Sequence, residues 1–108
     1  MSDNSTAAND SYTTPPLIAV RFPLGYLLVT PGSADAIADS KQSPQEFISK
    51  HARLEQGELS EEDYRENLFS VSRQLRIFSA FRTDSGVKVW VITEADRSAT
   101  TILLPSEY

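Results

Sequence analysis

The hydrophobic rhythm of this 108-residue chain changes near Leu75. Before that point apolar residues recur at intervals of three and four, the spacing of amphipathic helices. Beyond it they alternate. Leu75, Ile77, Ser79 and Phe81 fall on one side of an extended segment, and Arg76, Phe78, Ala80 and Arg82 on the other. Asp84-Ser85-Gly86 then reads as a hairpin turn, with glycine where positive φ is needed. Val87, Val89 and Val91 alternate with Lys88, Trp90 and Ile92. Residues 93–98 make a second connection, and 99–104 a third strand stopped by Pro105. The expectation is a three-stranded antiparallel β-meander, apolar on both faces near its middle, as Phe78, Trp90 and Ile102 indicate.

The preceding half supplies what covers one of those faces. Residues 17–30 read as extended but broken by Pro23 and Gly25, and Tyr26-Leu27-Leu28-Val29 is the safer strand. Thr30 can cap a helix with Pro31 at its first position, and Ala34, Ile37 and Ala38 give it an apolar stripe. Ser43-Pro44-Gln45-Glu46 predicts a capping box and a second helix running to about Arg53. A third helix opens at Ser60, with Glu61, Glu62 and Asp63 in the turn where the helix dipole favours acids. Its predicted buried stripe is Tyr64, Leu68 and Val71. The fold class is therefore α+β: a short N-terminal strand, three short helices, then the meander. It forms a single domain over residues 17–108. Residues 1–16, rich in Ser, Thr, Asn and Ala, read as a disordered N-terminal arm.

Composition removes several chemistries. The chain has no cysteine, so thiolate catalysis and thiolate metal sites are out. One histidine with no close carboxylate spacing supports no metal site, and no cofactor is expected. No apolar run reaches the roughly 18 residues of a membrane span, and no basic, apolar leader opens the chain. A cytoplasmic location without membrane contact is the expectation. The net charge of −5 is concentrated: residues 53–66 hold six acids against two bases, a net of −4. An acidic chain disfavours nucleic acid as the partner, because phosphate neutralisation dominates that affinity.

Three groups of residues carry candidate chemistry. Glu94-Ala95-Asp96-Arg97-Ser98 joins two strands and gathers two carboxylates, an arginine and a hydroxyl. Its functional reading is an acid/base site completed by His51. Its structural reading, the favoured one, is a turn satisfied by its own groups, with Asp96 on backbone amides and Arg97 paired with Glu94. His51 alone sits at a helix end, where packing is the commoner role. Arg76, Phe78, Arg82, Lys88 and Trp90 lie on or beside the hairpin strands and form a candidate binding surface. The acids of residues 55–66 read as a solvated helix start, with imitation of DNA phosphates as the sharper alternative.

The C-terminal string Trp90-Val91-Ile92-Thr93-Glu94-Ala95-Asp96-Arg97-Ser98-Ala99-Thr100-Thr101-Ile102-Leu103-Leu104-Pro105-Ser106-Glu107-Tyr108 resembles the end of a family of small uncharacterised bacterial proteins of plasmids and other mobile elements. Thr30-Pro31-Gly32, Ser43-Pro44, Glu61-Glu62-Asp63 and the run from Arg76 to Phe81 agree with it. The resemblance spans about residues 22–108 and departs at residues 54–58, where the family has a Trp. Some members carry the label of a type I restriction subunit M. That label implies an adenine methyltransferase, but neither its Asn-Pro-Pro-aromatic loop nor a Gly-rich nucleotide turn occurs here. The function expected is a non-catalytic accessory protein of mobile elements that binds another protein, with a homodimer through the sheet as one form of that. A small nucleic-acid-directed enzyme using Glu94, Asp96 and Arg97 is the alternative, and an acidic anti-restriction or anti-defence inhibitor the third reading.

Overall fold

The computed structural model describes residues 22–108. The arm assigned to residues 1–16, and the start of the domain at residue 17, lie outside the described residues. The order of elements is β1 (Tyr26–Val29), α1 (Pro31–Asp39), α2 (Pro44–Ala52), α3 (Glu61–Arg73), β2 (Ile77–Arg82), β3 (Lys88–Thr93) and β4 (Ala99–Leu103), then a 3-10 turn at Pro105–Glu107. The α+β class and the three helices are as the sequence predicts.

The sheet differs from the prediction. It has four strands in the order β1-β4-β3-β2, and it is mixed. The meander is present, with Ile77 opposite Thr93 and Arg82 opposite Lys88, and with Trp90 opposite Leu103 and Thr93 opposite Thr100. To it β1 adds in parallel, Tyr26 beside Ala99 and Val29 beside Ile102. A parallel partner for β4 has no local signature, because the pairing is made across more than 70 residues of chain that hold three helices and two other strands.

The helices cover one face. Ile37, Phe47, Ile48, Phe81, Val89, Val91 and Ile102 form the main core. Phe22, Leu54 and Ile77 form a second cluster that takes in Val71 of α3. Thr30 caps α1 through its hydroxyl and Ser60 caps α3 in the same way. At Ser43 no side-chain cap forms. The Glu46 carboxylate instead takes the Gln42 side-chain amide, from the preceding turn, at 2.9 Å and Lys50 of its own helix at 3.4 Å, so the expected capping box does not form.

The expected stripe of α3 is also corrected. Leu68 is exposed, Tyr64 and Val71 are half-buried, and the buried residues are Asn67 and Ser70. The reason lies at the outer edge of the sheet. The Phe78 amide of β2 donates to Asn67 Oδ1 at 3.0 Å, and Asn67 Nδ2 donates back to the Phe78 carbonyl. One step along, the Glu58 amide donates to the Ala80 carbonyl at 2.7 Å. The helix turns a polar side chain inward because a sheet edge offers backbone donors and acceptors that need partners. Gly57 permits the approach. Its φ is +56°, and a Cβ there would stand 2.4 Å from the Ala80 carbonyl oxygen.

The opposite edge is different. In β1 all four residues are exposed, from 38 % at Val29 to 80 % at Tyr26, and none is charged. The Tyr26 amide bonds to the carbonyl of Ser98, just before β4, and the Thr30 amide to that of Ile102 in β4. Strand alternation therefore turns the amides of Leu27 and Val29 outward.

Candidate functional site

His51 lies in α2 and is fully buried under the sheet. Its Nδ1 is 2.7 Å from the Ser79 hydroxyl and its Nε2 is 2.8 Å from the Thr93 hydroxyl. Thr93 is 2.7 Å from the Thr100 hydroxyl, and Thr100 donates to the Leu24 carbonyl at 2.7 Å. That carbonyl has no proton to give, which fixes the direction of the whole chain of bonds. Thr93 donates to Thr100, Nε2–H donates to Thr93, and Nδ1 accepts from Ser79. The ring is neutral and holds its proton on Nε2. Burial pushes its pKa down from 6.5 to about 4. With both nitrogens engaged by hydroxyls and no exposed edge, His51 is a strut between α2 and strands β2 and β3, with β4 joined through Thr93. The Phe22 ring packs edge-on against it at 5.4 Å.

The Glu94–Ser98 turn is likewise bound up in its own support. Asp96 accepts from the Ser98 amide at 3.0 Å, and the Ser98 hydrogen bonds hold its carboxyl below the usual range. Arg97 has a left-handed backbone, φ 62°. Its guanidinium donates to the carbonyls of Leu75 at 2.7 Å, Glu94 at 3.0 Å, Ala95 at 3.2 Å and Ser70 at 3.1 Å. It meets Glu94 at the backbone oxygen and not at the carboxylate. The Ser70 carbonyl, in the last turn of α3, also accepts the Gln74 and Leu75 amides, so the cation adds to a helix end where the dipole favours positive charge. The turn and His51 are not brought together into an acid/base set, since both ring nitrogens face Ser79 and Thr93. Among the described residues no cluster of three His, Asp or Glu side chains could hold a metal ion.

The acidic stretch is partly paired off. Glu55 meets Arg53 at 2.6 Å, Glu58 meets Arg82 at 3.3 Å, and Glu61 meets Arg65 at 3.6 Å, all at exposed positions.

The second face of the sheet carries the remaining candidates. Strand register puts Phe78, Ala80 and Arg82 of β2, Lys88, Trp90 and Ile92 of β3, and Ala99, Thr101 and Leu103 of β4 on it, with Tyr26 and Leu28 of β1. Apart from Tyr26, three aromatic rings cluster on this surface. Phe78 and Trp90 meet at 5.0 Å and 71°, and Trp90 and Tyr108 at 5.7 Å and 74°. Arg76 lies over the Tyr108 ring at 5.2 Å and donates to its hydroxyl at 2.6 Å. Arg76, Phe78, Trp90, Ile92 and Tyr108 line a cleft of about 310 Å³, mostly apolar. Arg82 and Lys88 sit beyond its far end. Arg82 is held by Glu58 and the Gly86 carbonyl. Among the described residues Lys88 makes no ion pair.

Ile92 and Tyr108 were not among the residues singled out from the sequence. Ile92 shares a face with Trp90 by simple alternation, so the signal was present. Tyr108 reaches the cleft through the 3-10 turn after Pro105. Glu107 anchors that turn: its carboxylate accepts from the Thr30 hydroxyl, the Gly32 amide at 3.0 Å and the Leu104 amide at 2.8 Å. The Thr30 hydroxyl, and then these amides, hold the Glu107 carboxyl below its ordinary range. A Cβ on Gly32 would stand 2.6 Å from that carboxylate and would push the Glu107 side chain aside.

No family model matches the chain, and neither does any curated protein or solved structure. Among the described residues no helix is long and apolar enough to cross a membrane.

Proposed function

We propose that this chain is a non-catalytic interaction module that binds another protein through the open face of its sheet. The observation that carries the reading is the cleft between Phe78, Trp90 and Tyr108, an aromatic surface on the face the helices leave uncovered. Aromatic side chains in a concave, apolar setting are the usual anchors of protein interfaces. The engagement of His51, Asp96 and Arg97 by hydroxyls and backbone supports structural work for the residues an enzyme would need. The C-terminal resemblance supports an accessory role on plasmids or other mobile elements, in the cytoplasm.

The uncharged, exposed β1 edge favours a second copy of the chain as one form of partner, joined through the sheet. One experiment reads both. Wild-type protein and a Trp90→Ala variant are immobilised and exposed to a lysate of a bacterium carrying mobile elements, and their masses are measured by light scattering. The expected result is a protein retained by the wild type and lost from the variant. Equal retention by both would remove the open face from the reading. A mass of one chain at high concentration would remove the second copy.

A further inference from the structure

We infer that the segment this cleft receives is acidic: an apolar side chain entering between the rings, with a carboxylate to either side of it. The inference rests on the open face being the binding surface and adds the chemistry of the occupant. The chain as a whole is acidic, 15 Asp and Glu against 10 Lys and Arg. The strand positions of the open face reverse that balance. With the flanking Arg76 they bring Arg76, Arg82 and Lys88, against the single carboxylate of Glu58, which is taken up by Arg82.

The two ends of the cleft are not equal. Arg76 is built into one wall, its guanidinium braced on Tyr108. Lys88 stands at the other end, level with Arg82 by strand register. Six residues of β2 separate those levels, roughly 20 Å at the rise of a strand. An extended peptide with carboxylates about six residues apart spans the same distance. Its central residue then falls over Phe78 and Trp90. Opposite charges facing across such a surface select the partner and set its register.

The ring geometry favours a peptide over single-stranded nucleic acid. Bases need flat platforms, and here the rings stand edge to face at 71° and 74°, forming walls for an inserted side chain. With Arg82 held by Glu58, two cations remain for phosphates, too few to offset a chain of net charge −5.

The test uses the full chain and three fluorescent probes read by anisotropy. One is a peptide of about seven residues with Glu at both ends and Leu at its centre. The second replaces each Glu by Lys, and the third is a short oligothymidylate. The expected result is binding of the acidic peptide at least tenfold tighter than its lysine counterpart, weakening as salt rises. Combining Arg76→Glu with Lys88→Glu should invert the preference, and Trp90→Ala should abolish binding of both peptides. Equal affinity for the two peptides would overturn the acidic occupant while leaving the cleft as an apolar site. Tighter binding of the oligothymidylate, lost in the charge-reversed variant, would replace the peptide with nucleic acid. Binding of neither peptide would also overturn it, whereas the lysate experiment judges the module reading separately.

Discussion

One sheet carries two unlike faces. Beneath the helices, polar groups are admitted only where every hydrogen bond is closed. Ser79, Thr93 and Thr100 are fully buried there, and His51 and the Leu24 carbonyl complete their partners. On the open face the order is reversed. Phe78 and Trp90 are half-buried, Tyr108 is exposed, and Ile92 and Leu103 lie beneath them at 4 % and 6 % exposure. The covered face spends its side chains on stability, because an unpaired buried group costs more than a bond returns. The open face keeps apolar area available to something outside the chain.

That contrast can be broken most forcefully in the core. Phe47→Ala removes a fully buried ring that packs on Phe81 at 6.2 Å. It should cost about 4 kcal/mol in a denaturant titration. A loss under about 1 kcal/mol would mean that the covered face is not the stabilising one.

Acid attacks the same face through His51. Its folded-state pKa, about 4, lies below the ordinary 6.5, so the fold favours the neutral ring. That contribution is complete above pH 6.5 and is lost as pH falls from 6.5 through about 4. The total is roughly 3 kcal/mol. Chemical denaturation at a series of pH values should show the decline, and a His51→Gln variant should lack it in this window. An unchanged slope in the variant would assign the decline to the carboxylates.

The smallest effect on stability is expected on the open face. Tyr108 is 71 % exposed, and Tyr108→Ala should shift stability by less than about 1 kcal/mol. The same change removes one wall of the cleft, so peptide binding should fall at least tenfold. A large loss of stability with binding intact would make the C-terminal turn a structural element alone.

How far the sequence reveals this arrangement differs from element to element. The alternation from Ile77 to Ile92 places Phe78 and Trp90 together because a period of two needs only a strand to become geometry. The helix caps at Thr30 and Ser60 are equally local. Three features were not legible. The parallel docking of β1 on β4 depends on a crossover and leaves no mark on either strand. Asn67 and Ser70 displaced Leu68 from the buried side of α3 because the edge of β2 demands hydrogen-bond partners, a demand that hydrophobic spacing does not register. Ser43 and Glu46 have the residues of a capping box, yet Gln42 and Lys50 compete for the carboxylate. Within the candidate site, Arg76, Phe78 and Trp90 were readable, and Arg82 and Lys88 fall on the same face. Tyr108 is not readable because no periodicity runs past Pro105, and it is the turn there, held by Glu107, that swings the ring across the sheet.

The side-chain amide of Asn67 has a consequence for assembly. It occupies the flank along which β2 would otherwise recruit a further strand, while among the described residues nothing pairs with the outer flank of β1. A particle with one receptive flank has a valence of one. Copies joined there would meet about a twofold axis and stop, so propagation into a filament has no second site from which to continue.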